Sequence, residues 1–244
     1  MPCFYTPDLK EQDSGITISG EEYHHIIDVF RKSTNDKILL TNGKGLLVKA
    51  KIISISKKKI VVSILTRNKE KQSQPKIAVA FSLLKKKHDF LIIEKLTELG
   101  IKEFFPIITD RTVRKSSKNT NLKFRKIAVT AIKQCDNAFL PEVNITTSLT
   151  ELLENIKNKY VPVVALETRE SRQLWEILSS LEEEHICLII GPEGGFTNKE
   201  IEMFKSKGIQ TFSLGNHIVR AETAAIAASS QTLGHLLKKY PEYY

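Results

Sequence analysis

A chain of 244 residues with a net charge of +9 can bury a substantial core, as one large domain or as two small ones. Its 41% hydrophobic and 27% charged residues are ordinary for a soluble globular protein, and no eighteen-residue apolar run predicts a membrane span. The three cysteines, Cys3, Cys135 and Cys187, are far apart and lack metal-ligand spacing, so we expect no disulfide framework and no metal site. An N-terminus unlike a signal peptide and this use of cysteine indicate a cytoplasmic protein.

The first seventy residues have the pattern of a small β-barrel. Their predicted strands are 37–40, 46–55 and 60–65. Asn42-Gly43-Lys44-Gly45 is a strong signal for a hairpin turn, and only 21–30 has a helical pattern. The polar segment 67–76 contains a proline and separates two patterns. We therefore predict one domain at 1–70 and a second domain at 76–244.

Beyond this boundary, apolar runs alternate with helical patterns, which is typical of an α/β domain with a mostly parallel sheet. The predicted strands are 77–84, 104–108, 161–166, 186–190 and 211–214. The predicted helices begin near Asp89, Asn121, Ser148, Ser171, Thr197 and Glu222. Two of these starts have capping boxes, formed by Ser148 with Glu151 and by Thr197 with Glu200.

Basic residues are concentrated in a few segments. Residues 111–133 carry eight Lys or Arg and no acidic residue, and Lys85-Lys86-Lys87 forms a further cluster. A phosphate backbone suits such surfaces, although a lysine-rich face can also simply keep a protein in solution. The candidate contacts to nucleic acid are Arg31, Lys85, Lys86, Arg111, Arg114, Lys123, Arg125 and Lys126.

Three loops after predicted strands are candidates for a binding site, because ligands of open parallel sheets lie beyond the carboxyl ends of the strands. The loops are Ala165-Leu166-Glu167-Thr168, the GPEGG turn at 191–195, and 213–220. Glycine lets backbone amides approach a ligand closely, although a strand-to-helix turn also uses glycine for steric reasons alone. No G-x-G-x-x-G and no G-x-x-x-x-G-K-[ST] occurs, so we expect neither a dinucleotide nor a polyphosphate.

Two of these loops carry a resemblance to a known family. LIIGPEGGFTNKEI at 188–201 and FSLGNHIVRAETAAIAA at 212–228 resemble the RsmE family of 16S rRNA (uracil-N3)-methyltransferases, in the SPOUT superfamily. The resemblance extends over nearly the whole chain. The other similar segments are Glu22-Tyr23-His24-His25 through Arg31, the NGKG turn, DFLIIEKLTELGIKEFFPIITDRT at 89–112, RKIAVTAIKQC at 125–135, and 140–143.

The resemblance implies a C-terminal SPOUT α/β domain with a trefoil knot, preceded by a PUA-like β-barrel for RNA. It also implies S-adenosylmethionine as methyl donor in the knot, a homodimer with the site near the subunit interface, and a uridine of 16S rRNA as acceptor. Glu193 either accepts hydrogen bonds from ribose hydroxyls or braces a neighbouring loop. The residues implied in donor binding are Leu166, Glu167, Gly191, Glu193, Gly194, Leu214, Gly215 and Ile218.

Methylation at N3 of uracil requires removal of the imide proton, because the lone pair appears only after the proton leaves. Arg220 is the candidate for stabilising the resulting charge at O2 or O4 of the base. Glu222 is a candidate base or a supporting group. Alternatively, Arg220 caps its loop or pairs with Glu222, and a carboxylate is favoured at a helix start in any case.

Several positions depart from the family pattern. Asn216 and His217 stand where proline and arginine are more common. Asp136 and Asn137 replace glycine and arginine, Phe139 stands where arginine is common, and MPCFYTPD lacks an N-terminal arginine. Two alternatives stay open: a SPOUT methylase of another RNA position, such as a ribose 2′-hydroxyl, and a noncatalytic RNA-binding protein of ribosome assembly, which the missing arginines favour.

Overall fold

The computed structural model describes residues 1–74, 76–167, 171–181 and 185–241. Thr168, which the sequence places in the first candidate loop, lies outside these residues. The chain forms two compact units: Met1–Gln72 with Val129–Leu140, and Ser73–Ala128 with Pro141–Tyr244. In the four described ranges, no helix combines the length and apolar character needed to cross a membrane.

A mixed sheet makes up most of the first unit. Its strands are β1 (Cys3–Tyr5), β2 (Gly15–Ser19), β3 (Lys37–Thr41), β4 (Leu46–Ser56) and β5 (Lys59–Lys69). They pair in the order β1-β3-β4-β5-β2, antiparallel except for β1 with β3. Two register shifts interrupt the β4–β5 pair, and such bulges bend a sheet. The sheet curls over a core that includes Val48, Ala50 and Ile52.

Two local patterns predicted for this unit are confirmed. Asn42 closes the turn between β3 and β4, because its side-chain oxygen accepts hydrogen bonds from the amides of Lys44 (2.8 Å) and Leu46 (3.2 Å). The helical segment is α1 (Glu21–His24), which continues as a π-helical turn at His25–Val29. Within the described part of the chain β1 and β2 do not pair with each other, so closure into a barrel stays a prediction.

The second unit contains an eight-stranded sheet whose paired strands are all parallel. The strands are β6 (Ile77–Ser82), β7 (Glu103–Ile108), β8 (Glu142–Val143), β9 (Thr147–Ser148), β10 (Val161–Ala165), β11 (Arg172–Gln173), β12 (Ile186–Ile190) and β13 (Gln210–Ser213). Their order is β11-β13-β10-β12-β6-β7-β8, with β9 also pairing with β7. The central strands β6 and β12 are buried along their whole length, as parallel strands covered on both faces are. The predicted α/β class is confirmed.

Helices connect most of these strands. They are α2 (His88–Glu98), α3 (Thr120–Gln134), α4 (Leu149–Ile156), α5 (Leu174–Ser180), α6 (Asn198–Ser206) and α7 (Ala221–Lys239). Both predicted capping boxes are present, at Ser148 before α4 and at Thr197 before α6. The helix predicted near Ser171 instead begins at Leu174, because the short strand β11 comes first.

The alanine-rich helix α7 lies against the core of this unit. It packs on α2 and α5 and on the central strands β6 and β12. Ala225 and Ala228 have no exposed surface, and their small side chains let the helix lie close to the sheet. This packing fixes the first turn of α7, which begins at Ala221 directly after the candidate loop 213–220.

Candidate active site

A cavity of about 780 Å³ lies at the carboxyl ends of β10, β12 and β13 in the second unit. The loops after all three strands line it, as the sequence predicts for ligand sites of parallel sheets. Seven of the eight candidate donor-binding residues are in the lining, and the exception is Gly215. Arg220 and Glu222 line the same cavity, together with Lys85, Lys86 and His88. The loops at 191–195 and 213–220 therefore line the same cavity.

The three glycines of the GPEGG turn have different structural settings. A Cβ on Gly191 would lie 2.9 Å from the ring of Phe196, so packing excludes a side chain. Gly195 has φ +66°, a left-handed conformation that favours glycine. A Cβ on Gly194 would meet only Arg111, at 3.5 Å, which is ordinary contact. Neither packing nor backbone conformation therefore requires Gly194, which leaves a wall of the cavity without a side chain.

Side chains from neighbouring loops brace the walls of the cavity. Oε1 of Glu193 accepts a hydrogen bond from the Lys85 amide at 2.8 Å, so the bracing alternative for Glu193 has a contact. The Arg111 guanidinium donates to the Gly194 carbonyl at 2.8 Å. Glu167 accepts from the Val219 amide at 3.2 Å and so joins the loop after β10 to the loop after β13.

Arg220 and Glu222 differ in their side-chain contacts. Arg220 is exposed at the start of α7, and its side chain makes no hydrogen bond or ion pair with the described residues. Glu222 is buried, and its Oε1 lies 2.8 Å from Nδ1 of His88. The alternative in which Arg220 pairs with Glu222 is therefore not what the structure shows.

His88 is the site residue that the sequence did not single out. Its only sequence signal is its place after three lysines, and its contact with Glu222 joins residues 134 positions apart in the chain. No local periodicity reports a contact over that separation. The lysines before it complete the same wall, since Lys85 and Lys86 are exposed and line the cavity.

The predicted RNA-binding residues fall into two groups. Seven are exposed: Arg31 in the first unit, and Lys85, Lys86, Arg111, Lys123, Arg125 and Lys126 in the second. The Arg111 guanidinium also donates to the Gly194 carbonyl. Arg114 is half-buried and has intramolecular partners, so the structure gives it a role that the sequence did not predict.

Arg114 neutralises a buried carboxylate. It forms an ion pair with Asp89, whose side chain has no exposed surface, and its guanidinium lies over the rings of Phe90 and Phe124. Burial raises the pKa of Asp89, and the neighbouring Arg114 opposes that shift. A buried charge that loses its partner is strongly destabilising. We therefore assign Arg114 to the stability of the second unit.

No group of three or more His, Cys, Asp or Glu side chains that could hold a metal ion occurs among residues 1–74, 76–167, 171–181 and 185–241. Over these same ranges, the cavity is lined by the Arg220 guanidinium, the His88–Glu222 pair, the backbone of the GPEGG turn and four further charged side chains, Lys85, Lys86, Glu167 and Glu193. This set suits a small ligand together with a planar, polar acceptor.

Comparison with known proteins identifies the family. Residues 70–233 match the RNA methyltransferase domain family, and residues 18–65 match the RNA methyltransferase PUA domain family. The first match spans well over half of the chain and contains every residue that lines the cavity.

Similar proteins carry the same description. The chain is 34% identical over 237 residues to ribosomal RNA small subunit methyltransferase E of Bacillus subtilis, covering 92% of each protein. It is 32% identical over 230 residues to the protein of that name from Rickettsia conorii, covering 93% of each. A solved methyltransferase from Legionella pneumophila, in complex with S-adenosylmethionine, is 27% identical with a TM-score of 0.84, covering 95% of this chain and 96% of the other. The chain belongs to the RNA methyltransferase family that includes ribosomal RNA small subunit methyltransferase E.

Proposed function

We propose that this protein uses S-adenosylmethionine to methylate N3 of a specific uridine in 16S rRNA of the small ribosomal subunit. The observation that carries the proposal is the convergence of the loops at 191–195 and 213–220 on one cavity, in a chain of this methyltransferase family. We place the protein in the cytoplasm, where its rRNA substrate is found.

The cavity fits the methyl donor in size and in lining. Its volume lies in the range of small-molecule sites, roughly 300–1,000 Å³. Apolar side chains of Leu166, Leu214 and Ile218 can cover a flat base, and the backbone of Gly191 and Gly194 allows close approach. When bound there, S-adenosylmethionine supplies an activated methyl group. The candidate donor-binding set is Leu166, Glu167, Gly191, Glu193, Gly194, Leu214, Gly215 and Ile218.

In this proposal Arg220 stabilises the charge that develops on the base, and Glu222 is the candidate base. The guanidinium of Arg220 is exposed at the cavity and has no partner in the described part of the chain, so it is available to a base oxygen. Positive charge aimed at O2 or O4 stabilises the uracil anion as the proton leaves. Glu222 is the carboxylate nearest in sequence to Arg220 and lines the same cavity.

The first seventy residues form, in this proposal, a PUA-like barrel that binds RNA, and 76–244 form the catalytic domain. The family match at 18–65 and the curled mixed sheet support the first assignment. The trefoil knot is proposed because the resemblance to the SPOUT superfamily implies it. The chain after β13 meets Glu167 at Val219 and returns as α7 onto β6 and β12.

A homodimer is also part of the proposal. Trp175 on α5 and Leu237 on α7 are large apolar side chains that remain 62% and 45% exposed in the single chain. The two helices that carry them pack on each other in the second unit. Sedimentation equilibrium tests the dimer directly, since a monomer at micromolar concentration would contradict it.

The departures from the family pattern have different structural settings. Phe139 packs within the first unit, where its ring lies 2.8 Å from the position of a Cβ on Gly45. Asp136 and His217 are exposed, and Asp136 has φ +52°. Phe139 therefore has a packing role that an arginine would not fill, whereas His217 leaves the 213–220 loop one cation short.

The RNA contact in the second unit is proposed for Lys123, Arg125 and Lys126, which are exposed on α3. Neutralising all three with glutamine should weaken RNA binding and make it less sensitive to salt, because fewer counterions are released. The measurement is the slope of log Kd against log salt concentration. Lys157 and Lys199, exposed elsewhere in the unit, provide the control substitutions. An unchanged slope in the triple variant would remove these residues from the RNA surface.

The function is tested by nucleoside analysis of 16S rRNA from a strain lacking the gene, with calorimetry of S-adenosylmethionine binding to the purified protein. We expect loss of one N3-methyluridine, its return on complementation, and saturable donor binding. Loss of a 2′-O-methyl nucleoside instead would assign a different RNA position. No saturable donor binding and no lost nucleoside would leave a noncatalytic ribosome-assembly protein.

A further inference from the structure

The turn that leads into α2 is anchored at both ends to the walls of the cavity. At its start, the Lys85 amide donates to Glu193 of the GPEGG turn. At its end, Nδ1 of His88 lies 2.8 Å from Oε1 of Glu222 in the first turn of α7. The short segment 85–88 therefore connects the glycine-rich wall with the helix that carries Glu222.

The backbone between these anchors is strained. Lys86 and Lys87 have φ +51° and +61°, the left-handed region that residues with a Cβ avoid. Such a conformation costs about 1 kcal/mol or more per residue and persists only where the surroundings enforce it. These two residues lie directly before His88, whose imidazole contacts Glu222.

The carboxylate of Glu222 has one engaged and one available oxygen. Oε1 is held by His88, whereas within the described ranges no hydrogen bond reaches Oε2, which is not fully buried. The side chain of Glu222 is only 10% exposed, so its access is through the cavity that it lines with Arg220. Placement at a helix start explains a carboxylate here, but it explains neither the histidine nor the strained turn.

We propose that His88 is a positioning residue for proton removal, which rests on the proposed function. By donating from Nδ1 to Oε1, it fixes the carboxylate so that Oε2 of Glu222 accepts the N3 proton of the bound uracil. The N3–H bond breaks, the proton goes to Oε2, and the electron pair stays on N3. The positive charge of Arg220 offsets the negative charge that develops on the base.

The other charged groups lining the cavity are Lys85, Lys86, Glu167, Glu193 and Arg220. Asp89, adjacent to His88 in the chain, is paired with Arg114.

Four variants test the proposal in single-turnover methylation with saturating RNA and donor. Glu222→Gln should lower the rate by about 10²- to 10⁴-fold, the usual range for loss of a general base. His88→Ala should lower it by about 10- to 100-fold, as expected for a lost hydrogen bond to a charged group. His88→Asn retains a donor near the Nδ1 position and should restore most of the rate. His24→Ala is the matched control, because its Nδ1 also lies 2.8 Å from a carboxylate, that of Asp28, but outside the cavity.

Comparing the rate with donor binding separates positioning from a merely structural role. In His88→Ala the single-turnover rate should fall while the Kd for S-adenosylmethionine stays near the parent value, and His88→Asn should recover the rate. A merely structural role would weaken donor binding together with the rate.

Donor binding and rRNA methylation by the parent protein keep the two proposals apart. If the parent neither binds S-adenosylmethionine nor methylates rRNA, the proposed function fails. If the parent is active and His88→Ala has an unchanged rate, or loses donor binding as much as it loses rate, the positioning role of His88 is overturned. That role is equally overturned if His88→Asn is no better than His88→Ala while both variants bind the donor normally.

Discussion

The GPEGG turn at 191–195 and the loop at 213–220 form two walls of the cavity and are held in different ways. The GPEGG turn is tied to the Lys85 amide through Glu193 and to Arg111 through the Gly194 carbonyl, and it ends at the capping box of Thr197. Among the described residues, the loop at 213–220 is joined to the loop after β10 by the Val219 amide, which donates to Glu167, and Ser213 at its start accepts a hydrogen bond from Gln173. Its residues 215–218 are exposed.

This difference indicates a division of labour between the two walls. The braced wall has the shape of a binding surface before any ligand arrives, so little conformational entropy is lost there on binding. The exposed wall carries Arg220 at its end, and we expect it to gain contacts when a ligand covers it. We therefore expect substitutions in the GPEGG turn to act on affinity and stability, and substitution of Arg220 at the end of the other loop to act on turnover.

The largest effect should follow from Arg220→Ala. Removing this guanidinium should lower kcat by about 10²- to 10³-fold, comparable to the loss of one group that stabilises developing charge. Donor and RNA affinity should change much less, because the braced wall and the RNA surface are untouched. Single-turnover kinetics and filter binding measure the two quantities. His217→Ala, an exposed neighbour in the same loop, is the control, and unaltered turnover of Arg220→Ala would defeat the assignment.

Removing a brace from each wall tests the comparison most directly. Glu193→Ala should weaken S-adenosylmethionine binding by about tenfold, because the GPEGG turn and the Lys85 turn lose their shared hydrogen bond. Glu167→Ala should weaken it by only about two- to threefold, since its loop is already exposed. Calorimetry gives both constants, with Glu193→Gln, which keeps an acceptor, as the conservative control. A larger effect from Glu167→Ala would reverse the comparison.

Two glycines of the GPEGG turn, Gly191 and Gly194, differ in what a side chain would meet, so they test packing and binding separately. Gly191→Ala should destabilise the protein by about 1–3 kcal/mol, because the new Cβ would overlap the Phe196 ring at 2.9 Å. Gly194→Ala should leave unfolding within about 0.5 kcal/mol of the parent and still reduce donor affinity by about tenfold. Denaturant unfolding and calorimetry report the two effects. Equal destabilisation by both variants would show that Gly194 is also required by packing.

The sequence predicted those features of the second unit whose signals are local. Capping boxes link residues three positions apart, so Ser148 with Glu151 and Thr197 with Glu200 could be found from their spacing. The buried strand before the GPEGG turn was equally clear from its apolar run. The two-residue strands β8, β9 and β11 were missed because they are too short to show any periodicity.

Contacts between distant parts of the chain could not be predicted from the sequence. A basic residue has the same sequence signal whether it faces RNA or pairs with a buried carboxylate, and the partner of Arg114 is set by the fold. His88 meets Glu222 only because α2 and α7 pack together. The braces at Glu193 and Glu167 likewise join separate loops, so the difference between the two walls could not be predicted from either loop alone.

The smallest expected effect concerns Ile218, which is 87% exposed although it lines the cavity. Because its side chain has little to pack against in the single chain, Ile218→Ala should change the free energy of unfolding by less than about 0.5 kcal/mol. If the exposed wall closes over a ligand, the same change removes apolar surface buried in the complex, at about 0.8 kcal/mol per methylene group fully covered. Donor affinity should then fall by roughly three- to tenfold, measured by calorimetry. An unchanged affinity would mean that this wall gains no apolar contact on binding, and the division between a prebuilt and a completed wall would not hold at Ile218.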